Sequence, residues 1–115
     1  MNSVFTNDPF ATVDQAFRNI FPGIKYEAQF APELKDDEGK EVWGMTLIPD
    51  ESDGIPMVFI SAKLKLMDAV EIFAHELAHV AVPGEEHSET WEKTFKRLHQ
   101  EYGRIVDEKE AILCK

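Results

Sequence analysis

Cysteine is nearly absent: the 115 residues hold a single one, Cys114. One thiol cannot close an internal disulfide, and a four-cysteine zinc site is impossible. Its place beside the final residue fits an exposed tail better than a catalytic nucleophile. Basic residues are also scarce, 12 Lys and Arg against 22 Asp and Glu, for a formal net charge of -10. That balance argues against a broad phosphate-gripping surface and hence against general nucleic-acid binding. A local basic groove would have to draw on Lys63, Lys65, Lys93, Lys96 and Arg97. The acidity favours solubility and can help attract a cation. No apolar run approaches the length that spans a bilayer. The opening stretch MNSVFTNDPF lacks the charged start and apolar run of a secretory signal. There is no internal repeat and no long low-complexity tract. These absences lead to the expectation of a cytoplasmic protein in a reducing compartment, with no membrane partner.

Apolar residues make up 43% of the chain, enough for a packed core rather than disorder. The length suits one domain over residues 1–115. Asp8 followed by Pro9 reads as a helix start, a capping carboxylate before proline in the first turn. Phe10, Val13, Phe17, Ile20 and Phe21 then recur at helical spacing until Pro22-Gly23 stops the pattern. Residues 24–31, 41–48 and 56–62 read as strands, the last two joined as a hairpin across an Asp/Gly-rich loop. The period then lengthens, and Leu66, Val70, Phe73, Leu77 and Val80 form one apolar helical stripe up to Pro83-Gly84. A last helix begins after His87 with Ser88 as its cap. Trp91, Phe95, Leu98, Tyr102, Ile105 and Val106 line its inner face, and Gly103 is a place for it to bend or end. The expected fold class is α+β, a small, mostly antiparallel sheet packed against helices.

The chemistry concentrates in His75-Glu76-Leu77-Ala78-His79. On a helix, residues four apart stand one above the other, so both imidazoles can reach one ion. Zinc accepts neutral histidine nitrogen in tetrahedral geometry. Bound zinc acidifies water, and the glutamate beside the first ligand can take its proton and later deliver it to a leaving amine. Leu77 and Val80 would face the core, leaving the histidines on another face. A third ligand is needed. His87, just after the Pro83-Gly84 reversal, is the best placed, with Glu85, Glu86 and Glu89 as competing carboxylates. His99 suits a surface or packing role. Trp91, one turn after His87, would pack beneath the metal helix and fix how the third ligand is presented. If Met57–Ile60 formed an exposed edge strand, an extended peptide could pair with it over the metal. Tyr102, His99, Arg97 and Tyr26 could each donate to an oxyanion, and the sequence prefers none of them.

The stretch HELAHVAVPGEEHSETWEKTF resembles the zinc-binding core of the SprT-like metallopeptidases, including small phage and bacterial members. In that pattern H-E-x-x-H is followed by a glycine-containing turn, a histidine, and a helix with an aromatic residue about four positions on. The resemblance implies a minimal zincin-like domain holding one zinc through His75, His79 and His87. Glu76 would be the general base of peptide-bond hydrolysis, acting on a protein or peptide substrate. It covers residues 41–102, with the strands matching only in style. Members often have Gly directly after the third histidine, where this chain has Ser88. Larger relatives carry a cysteine zinc ribbon or a basic DNA-binding segment. This chain has neither, so DNA-linked proteolysis does not carry over. Two further readings stand beside the peptidase. One is a non-catalytic zinc-stabilised module, closed by a fourth ligand such as Glu85 or Glu86. The other is a metal-dependent hydrolase of a non-protein amide, such as a cell-wall peptide.

Overall fold

The computed structural model describes residues 8–51, 53–84 and 87–113. Among these residues three helices and three strands follow one another: α1 (Pro9–Ile20), β1 (Glu27–Ala31), β2 (Gly44–Leu47), β3 (Met57–Ser61), α2 (Leu66–Ala81) and α3 (Glu89–Leu113). The fold is α+β. Among the described residues, no helix is long and apolar enough to cross a membrane.

The helix starts follow from local hydrogen bonding. Asp8 Oδ1 accepts from the backbone N–H groups of Phe10 at 3.0 Å and Ala11 at 3.3 Å, satisfying donors that the first turn leaves free. Ser88 Oγ accepts from the Trp91 N–H at 3.2 Å, as its cap position requires. Gly103 neither ends α3 nor marks a boundary, since the helix continues to Leu113. A single glycine costs a helix only about 1 kcal/mol, and the flanking Tyr102, Ile105 and Val106 keep the segment against the body of the protein.

The sheet differs from the mostly antiparallel one expected. Its order is β1-β3-β2, with β3 antiparallel to β2 but parallel to β1. The chain reverses twice between β1 and β3, so these two strands share a direction, and β3 slots between the other two. β3 is therefore the central strand. Met57–Ile60 is not an edge, and an added peptide strand cannot pair there. Burial explains the placement: Val58, Ile60 and Ser61 are almost fully buried, whereas β1 is mostly exposed. The strand with the most apolar surface to hide takes the middle.

α2 lies at the centre of the molecule. One side packs on β2 and β3, and the others meet α1 and α3. Val70, Phe73, Leu77 and Val80 are buried as the stripe predicts, but Leu66 at its start is exposed. The core gathers Val13 and Phe17 of α1, Val58 and Ile60 of β3, and Trp91 and Leu98 of α3 around that stripe. Phe10, Phe17, Tyr26 and Phe73 form a linked aromatic group at the α1 end. α2 is thus clamped on several sides, which fixes the side chains on its remaining face.

Candidate metal centre

His75 and His79 project from the last two turns of α2, the face left over once Leu77 and Val80 turn inward. α2 ends where the Val82 N–H donates to the Ala78 carbonyl at 3.1 Å, and Gly84, at φ 81°, lets the chain turn back. His87 follows with φ 51°. It is the sole non-glycine residue with positive φ among those described. That conformation costs an L-residue about 1 kcal/mol or more, although histidine tolerates it better than most. Such strain persists where the surroundings hold it. Here it brings His87 Nε2 to 3.3 Å from His75 Nε2.

The ligand atoms of His75, His79 and His87 all lie within 4.8 Å of one another. Two nitrogens on one tetrahedral zinc, each bonded at about 2.0–2.1 Å, stand about 3.3–3.4 Å apart, so the His75–His87 spacing fits a shared ion. These three side chains lie close enough to hold a metal ion. Among the competing carboxylates, Glu89 is paired with Lys93 Nζ at 3.2 Å, while Glu85 and Glu86, like Cys114, lie outside the described residues.

Trp91 forms the floor. Its ring centroid is 4.7 Å from those of His75 and His87 and 5.2 Å from that of His79, and Phe95 stacks on it at 5.2 Å. Trp91 therefore does what its position suggested, supporting all three imidazoles and not the third alone. Its indole N–H is buried and has no hydrogen-bond partner among the described residues. The stacked Trp91 and Phe95 rings take water away from the imidazoles above, and that desolvation disfavours positive charge on them. The His75 pKa falls to about 4, first through burial and then through the neighbouring His79 and His87. A neutral imidazole is the form that binds metal.

In the unfolded chain His75 titrates near 6.5 and in the folded, metal-free protein near 4. Between those values the unfolded chain takes up a proton that the folded one refuses. This contribution to stability is therefore fully present above pH 6.5 and is lost as pH falls through 4. After chelator treatment, the wild type is expected to lose more stability than His75→Gln between about pH 7 and pH 4.5. Urea denaturation at the two pH values measures this, and equal losses would mean that His75 protonates freely in the fold.

Glu76 points the other way from the core stripe, toward β2, and is only 7% exposed. The Thr46 hydroxyl lies 2.7 Å from Glu76 Oε1 and donates to it. Burial raises the Glu76 pKa, and the Thr46 hydrogen bond and the nearby His87 partly offset that rise. Oε2 sits under Gly44: a Cβ there would come within 2.8 Å of it and within 2.5 Å of Ile72 Cγ2. Gly44, Thr46, Ile48, the three histidines and Glu76 line one open cleft of about 340 Å3.

Sequence reasoning missed Gly44 and Thr46. A glycine inside a strand pattern signals close backbone approach, and Thr46, two residues on, faces the same side. None of the four oxyanion candidates lines the cleft. Tyr26 donates to Asp14, Arg97 lies over the Phe21 ring, and His99 and Tyr102 line a separate depression against Val13 and Leu98. Compared with family models, curated proteins and solved structures, the chain matches none.

Proposed function

We propose that this protein is a zinc-dependent metallopeptidase with a single zinc per chain, akin to the SprT-like enzymes that its His75–Phe95 stretch resembles. The observation that carries the reading is the placement of a restrained carboxylate, Glu76, on the wall of the same cleft as three convergent imidazoles. A purely structural metal site has no use for such a group. Zinc in a three-histidine site with an open position supplies Lewis acidity, acidifying water and polarising a carbonyl.

The chain's own residues perform the rest. Thr46 engages Oε1, which fixes the carboxylate and leaves Oε2 to accept a proton from the attacking water. Burial makes Glu76 a stronger base than an exposed glutamate, nearer the value that suits proton transfer at neutral pH. The same oxygen returns the proton to the leaving amine. Trp91 and Phe95 hold the imidazoles from below and keep water off that side.

The first test is metal content. Protein purified without a histidine tag is expected to carry about one zinc per chain, and His87→Ala to lose most of it. Plasma emission spectrometry reads both. If the wild type binds no zinc even after incubation with it, both the site and the enzyme reading fall. With zinc confirmed, cleavage of a denatured protein such as casein separates a peptidase from a hydrolase of other amides.

A further inference from the structure

A second depression, of about 470 Å3, meets the metal cleft at His75. Trp43, Leu64, Ile72 and Phe95 make its apolar walls, and Asp68 and Glu71 stand at its rim. Trp43 is 49% exposed, so its indole offers apolar surface within this depression. The two depressions join where β2 crosses α2 at Gly44, which neighbours Trp43 and lies against Ile72. We infer that this depression is a specificity subsite: it takes a bulky apolar side chain of a peptide, while Asp68 and Glu71 receive a basic side chain two or three residues further along.

The spacing supports that division. Asp68, Glu71 and His75 stand at intervals of three and four residues, so they share one face of α2. At 1.5 Å per residue, Glu71 lies about 6 Å and Asp68 about 10 Å along the axis from His75. An extended peptide advances about 3.3 Å per residue. A chain held at His75 and running toward the start of α2 therefore brings its second and third residues over the two carboxylates. Asp68 also stands in the first turn of α2, where an acidic side chain suits the helix N-terminus. The ion pairs of the described residues engage Asp14, Glu33, Glu41, Glu89, Glu101 and Glu108, and leave Asp68 and Glu71 unpaired. Both are exposed, so the attraction they exert is screened by salt, whereas the apolar pocket is not.

The inference rests on the peptidase reading for its direction along the metal face, but its test does not need turnover. Zinc-loaded Glu76→Gln protein is titrated against fluorescein-labelled decapeptides on an Ala/Ser background, followed by fluorescence anisotropy. One peptide carries Phe with Arg three positions away, made with Arg on either side. The second replaces Phe by Ala, and the third replaces Arg by Glu. The second is expected to bind about tenfold more weakly or worse, the effect of leaving a phenyl ring unburied. The third is expected to bind several-fold more weakly, with the difference fading at high salt. Asp68→Lys/Glu71→Lys should invert the order of the Arg and Glu peptides, and Trp43→Ala should shrink the preference for Phe. Three peptides that bind alike, or none that binds, overturn the subsite. The wild type is then tried on the same peptides. Ordered binding without cleavage would count against the peptidase and leave the subsite standing, and cleavage without preference would do the reverse.

Discussion

Glu76→Gln is expected to keep its zinc and lose cleavage by about 10²–10⁴-fold, the usual contribution of a positioned acid–base group. The substitution is close to isosteric. The Thr46 hydroxyl, 2.7 Å from Oε1 in the wild type, can donate equally well to an amide oxygen. The side chain should therefore stay where it is. What disappears is the capacity to accept a proton, and with it the return of that proton to the leaving group. Stability should not fall, because burial outweighs the help that the Thr46 hydroxyl and the nearby His87 give the carboxylate, and neutral side chains are cheaper to bury. The informative pattern combines three readings: zinc per chain unchanged, urea midpoint unchanged or higher, and kcat collapsed with KM little altered. Turnover within tenfold of the wild type would remove Glu76 from the reaction. If the protein were instead a zinc-stabilised binding module, wild type and variant would be equally inert while both held zinc.

The parts of this arrangement that were legible in the sequence are those encoded within one or two helical turns. The H-E-x-x-H spacing places His75 and His79 together on any helix, and Asp8 and Ser88 announce helix starts through hydrogen bonds only a few residues long. The return of His87 was legible as a topological possibility, because Pro83-Gly84 must break α2. Its left-handed backbone, which sets the approach to His75, was not. Strand order was illegible for a different reason. Alternation records which side chains are buried, but not which strand lies beside which. Met57–Ile60 consequently read as a possible edge, although the burial of Val58 and Ile60 reserves that strand for the centre. The edge beside α2 belongs to β2, whose two small residues facing that helix, Gly44 and Thr46, carry no apolar signal at all.

Gly44→Ala turns that silent position into the second large expected effect: a fall in turnover of about 10²-fold, the scale on which a displacement of roughly 1 Å disturbs a positioned reaction. The added Cβ would stand 2.5 Å from Ile72 Cγ2 and 2.8 Å from Glu76 Oε2, both far inside van der Waals contact. Neither neighbour yields easily. The Ile72 methyl is the short branch of a β-branched residue on a helix, with one strongly preferred rotamer. The Glu76 carboxylate is tied to Thr46 of the same strand, so pushing it aside breaks the hydrogen bond that orients it. The cheaper response is for β2 to lift from α2, which carries Thr46 away from Glu76 with the same result. Forcing a methyl group into a packed contact costs about 1–3 kcal/mol, which urea denaturation would register. The three histidines lie on α2 and beyond its end, not on β2, so zinc content should be unchanged. Loss of turnover with retained zinc would identify the strand–helix contact as what positions Glu76. Adding Ile72→Ala should restore much of the stability, but little of the turnover, because the clash with the carboxylate remains. Full activity in Gly44→Ala would show that β2 need not approach the metal helix this closely for Glu76 to work.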